Sequence, residues 1–210
     1  DLVSSSAYVL FYKKKNIDNI NLDTVYNNSI EKAWQIADWC YEEKAKSITM
    51  YAFSTENFQR PQEELDILYR LLSDMIDRIL KDDSFHYRVQ IRGNRDLLAS
   101  HFGEELLCKI DEIERKTARY VDFTVILLLA YGARDEWVRG IDRIYPTVNV
   151  LIRTAGELRT SNFPFSPNAY FYSCKKLFPV ISKKDIRKAI KCGNKEINSY
   201  LDCFGDVIAF

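Results

Sequence analysis

Several residue types are scarce in this 210-residue sequence, and each shortage excludes a class of protein. There are five cysteines, an odd number without a C-x-x-C pair, so we expect a reducing compartment and no disulfide framework. Two histidines leave little material for a His-rich metal site or a catalytic triad. Seven glycines and five prolines are too few for a disordered or collagen-like chain.

Net charge and long apolar runs are also missing. Thirty basic residues balance thirty acidic ones, so no long-range field attracts nucleic acid or an anionic membrane. We therefore expect no nucleic-acid partner, and any anion site must be local. No apolar run approaches the ~20 residues that cross a bilayer, and no signal-peptide pattern is present. These features predict a cytoplasmic protein, with peripheral contact at a membrane left open.

What the sequence does contain is material for a large core, with 47% hydrophobic residues. Apolar runs alternate with amphipathic stretches, and no linker interrupts them. The predicted strands are Val3–Tyr12, Ser47–Phe53, His86–Arg92, Val121–Ala130, Val148–Arg153 and Ala169–Cys174. The predicted helices are Asp23–Glu43, Gln62–Lys81, Arg95–Thr117, Arg134–Ile144, Lys183–Lys191 and Asn194–Leu201.

This alternation predicts one α/β domain over residues 1–210, with a mostly parallel six-strand sheet and helices on both faces. Ligands of such sheets bind beyond the carboxyl ends of the strands. The loops at that edge are Ser54–Pro61, Gly93–Asp96, Tyr131–Glu136 and Thr154–Pro167. These loops contain nearly all the polar residues of the chain that we consider candidates for ligand binding or catalysis.

The most informative loop reads RTAGELRTSNF. Arg153 and Arg159 follow a buried strand, with Gly156 between them and Ser161 two residues later. A guanidinium is a rigid fork that matches phosphate oxygens, a hydroxyl adds a donor, and a glycine lets backbone N–H groups approach an anion. The pattern indicates a diphosphate clamp. The alternative is a loop whose arginines pair with surface carboxylates such as Glu157.

A second loop reads STENFQRP and follows another predicted strand. Thr55 or Asn57 could serve as the N-terminal cap of the next helix. Capping does not account for Phe58 and Arg60 as well. A ligand-binding role for this loop therefore stays open beside the structural one.

These loops together resemble the cis-prenyltransferases, the undecaprenyl- and dehydrodolichyl-diphosphate synthase family. The residues that carry the likeness are STENFQRP, IRGN, AYGARDE and RTAGELRTSNF, in the family's order, within a resemblance from about Ile30 to Ile190. It implies that isopentenyl diphosphate is condensed onto an allylic diphosphate with new double bonds in cis. It also implies Mg²⁺ as cofactor, a homodimer or a heterodimer with a related subunit, and a product that grows into an apolar tunnel.

The resemblance also implies roles for particular residues. Arg153, Arg159 and Ser161 would bind isopentenyl diphosphate, and Gly156 and Glu157 would lie in the loop that contacts the partner subunit. Asn57 and Arg60 would act catalytically near the reacting centre, while Phe53 and Phe58 would line the apolar approach. The helix Gln62–Lys81 would form one wall of the tunnel.

Three parts of the family pattern are missing. The Asp-Gly-Asn-x-Arg motif that follows the family's first strand has no counterpart: that strand either precedes residue 1 or is Val3–Leu10, which we prefer because a missing inner strand would expose two edges. The family's Gly-His pair reads Val25-Tyr26. The second expected metal carboxylate falls within Asn168–Tyr172, where none stands, so no metal ligand is assigned.

Three functional interpretations follow. The chain could be an active cis-prenyltransferase whose allylic half uses other residues, or whose first segment this sequence represents incompletely. It could be an accessory subunit that supplies the RTAGELR loop to an active partner. It could also be a diverged binding protein for a prenyl diphosphate. We favour the first.

Overall fold

The computed structural model describes residues 21–141, 148–163 and 169–204. Within these ranges the helices are α1 (Leu22–Glu42), α2 (Gln62–Lys81), α3 (Arg95–Phe102), α4 (Glu104–Thr117), α5 (Ala133–Val138) and α6 (Lys183–Phe204). The strands are β1 (Ser47–Ser54), β2 (Arg88–Arg92), β3 (Thr124–Tyr131), β4 (Val150–Arg153) and β5 (Tyr170–Ser173). Two short 3-10 helices span Thr55–Gln59 and Phe178–Val180.

A three-stranded parallel sheet forms the centre, in the order β1-β3-β2. The middle strand β3 is buried from Val125 to Tyr131. One face packs into the core that the helices share, and the other packs against Tyr51 and Phe163. An unbroken apolar run is typical of such a strand, and the prediction of a parallel α/β fold is confirmed.

The predicted six-strand sheet is wrong for the described residues. These hold five strands, and β4 and β5 form a separate parallel pair. A cavity of about 470 Å³ lies between β1 and β4, lined by Ser47–Tyr51 on one side and Val148–Thr154 on the other. Among the described strands, no hydrogen-bonded ladder joins the two sheets. The predicted first strand, Val3–Leu10, lies outside the described residues.

Helix α2 has the predicted bounds and buries a broad apolar face that includes Leu65, Leu68 and Ile76. It packs against α1, and the pairs Arg70–Asp23 and Arg78–Glu31 join the two helices at the surface. The side chain of Asn21 caps α1 by accepting from the backbone N–H of Asp23 at 2.9 Å.

Four predicted helices have different bounds in the structure. The one expected over Arg134–Ile144 is α5, which ends at Val138. The helix expected over Arg95–Thr117 is broken at Gly103, where φ is 82° and the N–H donates to the Ala99 carbonyl. The two helices expected over Lys183–Lys191 and Asn194–Leu201 form one continuous helix, α6. Among the described residues, every helix is either too short or too polar to span a membrane.

Candidate functional site

The loop after β1 begins with a capped 3-10 turn. The backbone N–H of Ser54 donates to Asn57 Oδ1 at 2.8 Å, which closes a capping box. The expectation that Thr55 or Asn57 caps the next helix is wrong, because Pro61 is the N-cap residue of α2 and no side chain among the described residues caps that helix. Asn57 instead completes the capping box of the 3-10 turn, whose N-cap is Ser54. The side-chain oxygen of Asn57 holds the turn at the carboxyl end of β1.

Arg153 stands at the carboxyl end of β4, half-buried at one end of the cavity between the sheets. Its Nη2 donates to Ser161 Oγ at 3.1 Å. Its Nε is buried and has no hydrogen-bond partner among the described residues. A buried guanidinium N–H without an acceptor is costly, so this geometry suits a negatively charged ligand.

Arg159 lies in the same loop but is mostly exposed, with 71% of its side chain accessible. It pairs with Glu157 at 2.8 Å, as the alternative interpretation of the loop expected. Burial lowers the pKa of Arg153, and the positive charge of Arg159 lowers it further. The negative charge of Glu157 raises it, but by less. The loop thus concentrates positive charge around Arg153, with Glu157 as an internal counterion.

The turn at Gly156 is fastened to the segment after β5. The N–H of Ala155 donates to the Lys176 carbonyl at 2.8 Å, and the N–H of Gly156 donates to the Cys174 carbonyl at 2.9 Å. Both residues have positive φ, 64° and 71°. The expectation that backbone N–H groups here face an anion is wrong, because internal carbonyls accept both of these hydrogen bonds.

Arg60 belongs to a compact polar cluster between α1 and the start of α2. Its Nη1 donates to Glu64 Oε1 at 2.6 Å and to the Tyr26 hydroxyl at 2.9 Å, and that hydroxyl donates to Glu64. The four-residue spacing of Arg60 and Glu64 could have indicated this ion pair, although Arg60 precedes α2. Nothing in the sequence indicated that Tyr26 joins this pair.

Phe53 and Phe58 contact each other edge to face, with ring centroids 4.8 Å apart. Phe58 also stacks on His101 at 4.2 Å, so it anchors the loop to α3. Phe53 is buried and borders an apolar cavity of about 40 Å³ between β1, α1 and α2. Helix α2 lines this cavity with Leu68, Leu71, Leu72 and Met75.

The two loops meet at Asn162. Its Nδ2 donates to Glu56 Oε1 at 2.7 Å, and its Oδ1 accepts from the backbone N–H of Arg134 at 2.9 Å. Partial burial raises the pKa of Glu56, but hydrogen bonds from its own backbone, Asn162, Ser54 and Thr55 outweigh it and lower the pKa overall. Neither Glu56 nor Asn162 was a predicted site residue.

Tyr51 on β1 lies close to both loops. Its ring packs 5.9 Å from that of Phe163, and its hydroxyl donates to the Tyr131 carbonyl. Burial raises the pKa of Tyr51 to about 12, and the Glu56 charge acts in the same direction. At neutral pH this phenol is protonated, so it is not a general base.

The donor set at this edge does not suit a hard divalent cation. Mg²⁺ prefers carboxylate oxygens, yet Ala169–Tyr172 carry none, and Glu56 and Glu157 already accept from Asn162 and Arg159. Among the described residues, no three His, Cys, Asp or Glu side chains form a group that could hold a metal ion. The described residues therefore do not fit the magnesium that the resemblance implied.

Comparison with known proteins gives consistent matches. A family model described as "Putative undecaprenyl diphosphate synthase" matches residues 14–147. A "Tritrans,polycis-undecaprenyl-diphosphate synthase (geranylgeranyl-diphosphate specific)" of Pyrobaculum aerophilum is 31% identical over 207 residues, covering 84% of each chain. An "Isoprenyl transferase" of Thermotoga maritima is 33% identical over 187 residues, covering 75% of this chain and 78% of that protein.

Two solved structures share the fold. A lavandulyl diphosphate synthase from Lavandula x intermedia, in complex with dimethylallyl diphosphate, superposes with a TM-score of 0.73 at 23% identity, covering 89% of this chain and 91% of that one. A probable undecaprenyl diphosphate synthase from Campylobacter jejuni gives a TM-score of 0.66 at 25% identity, covering 80% and 89%.

Proposed function

This chain belongs to the undecaprenyl diphosphate synthase family of cis-prenyltransferases, and on that premise we propose that Arg153, Arg159 and Ser161 bind the diphosphate of isopentenyl diphosphate. The chain is a transferase of prenyl groups. Its function is cis-prenyl chain elongation, the condensation of isopentenyl diphosphate with an allylic diphosphate to give a polyprenyl diphosphate.

One observation carries the binding proposal, the buried Arg153 Nε that has no acceptor among the described residues. A diphosphate oxygen would supply that acceptor, and Ser161 Oγ, 3.1 Å from Arg153 Nη2, would donate to the same group. Arg159 would turn from Glu157 to the ligand, since an exposed ion pair is easily exchanged.

The reaction is the chain elongation of the family to which this chain belongs. The double bond of isopentenyl diphosphate attacks C1 of the allylic diphosphate, a carbon–carbon bond forms, and the C1–oxygen bond breaks to release pyrophosphate. The isopentenyl unit then loses one proton as its new double bond forms, and the released pyrophosphate accepts it. Asn57 and Arg60 would stand near the reacting centre, and Phe53 and Phe58 would border the apolar approach.

The family typically works with Mg²⁺, which would neutralise the departing diphosphate. Because the described residues do not fit this ion, no step is assigned to it. The guanidiniums of Arg153 and Arg159 supply the positive charge that the described residues offer to a diphosphate.

The accessory-subunit and diverged-binder interpretations are not favoured, because the curated relatives of this chain are synthases and transferases. A heteromeric arrangement remains compatible with the exposed apolar residues Trp137, Val138 and Leu158, which are each about 80% accessible. These lie after Ala130 and in the RTAGELR loop. We propose that these residues contact a second copy or a related subunit.

Calorimetric titration with isopentenyl diphosphate tests the binding proposal. We expect Arg153→Ala and Arg159→Ala each to weaken binding by about 10- to 100-fold, the range for charge-assisted hydrogen bonds. Arg78→Ala is the matched control for Arg159, because Arg78 is similarly exposed and paired with Glu31. Unchanged affinity in both site variants would refute the proposal.

A further inference from the structure

Asn162 joins three segments that are distant in sequence. Its side chain donates to Glu56, 106 residues away in the loop after β1, and accepts from the backbone N–H of Arg134 at the start of α5. Its own carbonyl accepts from the N–H of Ala133 at 2.9 Å. The orientation of the amide is fixed, because a backbone N–H needs the oxygen and a carboxylate needs the nitrogen.

The junction is closely packed. A Cβ atom added to Gly132 would lie 2.7 Å from Asn162 Nδ2 and 2.9 Å from Thr55 Oγ1. A side chain at residue 132 would therefore force these groups apart. The glycine allows the end of β3 to approach both loops at once.

The backbone at Ser161 and Asn162 is unusual. Both residues have positive φ, 50° and 62°, a region that asparagine tolerates and serine rarely adopts. Hydrogen bonds to Glu56, Arg134 and Ala133 hold Asn162 in this conformation. The conformation of Ser161 places its hydroxyl 3.1 Å from Arg153 Nη2.

We propose that Glu56 and Asn162 are positioning residues: the Glu56–Asn162 hydrogen bond holds Ser161 and Arg153 in the geometry that binds the diphosphate. This inference rests on the proposed function of the Arg153 site. Glu56 acts on the site through Asn162, whose conformation fixes that of its neighbour Ser161.

A reciprocal exchange of the two side chains tests this role. In Asn162→Asp two carboxylates face each other, so the loops separate, and we expect the affinity for isopentenyl diphosphate to fall about 10- to 100-fold. In Glu56→Gln the side-chain oxygen still accepts from Asn162, so affinity should stay within about threefold of the original chain. When Glu56→Gln and Asn162→Asp are combined, the new amide donates to the new carboxylate, and we expect most of the lost affinity to return.

The measurements are the Kd and KM for isopentenyl diphosphate, the KM for an allylic diphosphate, and the melting temperature. If Asn162 is a positioning residue, Asn162→Asp raises the Kd and KM for isopentenyl diphosphate and leaves the KM for the allylic substrate near its original value. The double variant then reverses this effect. The matched control is the exposed amide–carboxylate pair Gln62–Asp66 on α2, where Gln62→Glu should leave the Kd unchanged.

Two outcomes overturn the inference: a Kd in Asn162→Asp close to that of the original chain, or a loss that the double variant does not reverse. Arg153→Ala in the same titration separates this from failure of the proposed function. If Arg153→Ala weakens binding and Asn162→Asp does not, the positioning role of Glu56 and Asn162 is refuted and the diphosphate site is not. If neither variant weakens binding, the diphosphate site itself is refuted, and the positioning role with it.

Discussion

Arg153 donates through Nη2 to Ser161 at 3.1 Å while its Nε stays buried without an acceptor among the described residues. One guanidinium is therefore both fixed in place and incompletely satisfied. Such a group lowers the stability of the unliganded protein and strengthens the binding of an acceptor. Arg153 therefore lowers the stability of the unliganded protein while it favours ligand binding.

Replacing Arg153 with an apolar side chain separates these two effects. In Arg153→Met we expect the free energy of unfolding to rise by about 1 kcal/mol, because the unsatisfied buried N–H is removed. Pyrophosphate binding should weaken about 10- to 100-fold at the same time. Urea denaturation and calorimetry measure the two quantities, and a variant that is less stable than the original chain would contradict this account of Nε.

The cluster around Arg60 predicts a difference between two ion pairs. The Arg60 and Glu64 side chains are only 17% and 16% exposed, whereas Arg78 and Glu31 are 66% and 67% exposed. We expect Glu64→Gln to lower the free energy of unfolding by about 1–3 kcal/mol, because the mostly buried Arg60 guanidinium loses its ion pair with Glu64. Glu31→Gln, the control, should cost less than about 1 kcal/mol. Equal costs in urea denaturation would argue against a structural role for the cluster.

Asp185 predicts a pH dependence of stability. Burial raises the pKa of Asp185, but hydrogen bonds from Lys176 and Ser182 dominate and lower it from 3.8 to about 2. Because the folded-state pKa is depressed, the stabilisation is complete above the unfolded value and is lost as the pH falls from about 4 to about 2. The melting temperature of Asp185→Asn should thus lie below that of the original chain at pH 6, with the gap closing near pH 2. A gap that persists at pH 2 would assign the effect to packing instead.

Removal of metal provides a further prediction. The described donors at the proposed diphosphate site are guanidinium and hydroxyl groups, which bind phosphate oxygens directly. We therefore expect pyrophosphate to bind in EDTA, and Arg153→Ala to weaken it by the same factor with and without Mg²⁺. Binding that vanishes in EDTA would mean that a metal ion mediates the contact.

Much of the fold could be predicted where local pattern decides it. Helix α2 has the predicted bounds, Gln62–Lys81, because its apolar residues repeat on one face. The central position of β3 followed from a run that is apolar on both faces. The break at Gly103 was missed because the amphipathic pattern continues across a residue whose positive φ ends α3.

The site was predicted in part. Arg153 and Ser161 do make contact, but the pairing of Arg159 with Glu157 and the use of the Ala155 and Gly156 N–H groups depend on how the turn folds. The roles of Asn57, Arg60, Phe53 and Phe58 at the reacting centre stay predictions, as does the extent of the single domain.

The sequence alone determined the α/β class, the succession of helices and strands, and the loops that carry the chemistry, because hydrophobic periodicity and turn residues act over a few positions. Only the tertiary structure decided that Glu56 meets Asn162, that Tyr26 meets Arg60, and that a cavity separates β1 from β4. These contacts join residues far apart in the chain. Their formation depends on how elements pack in three dimensions, which no local pattern encodes.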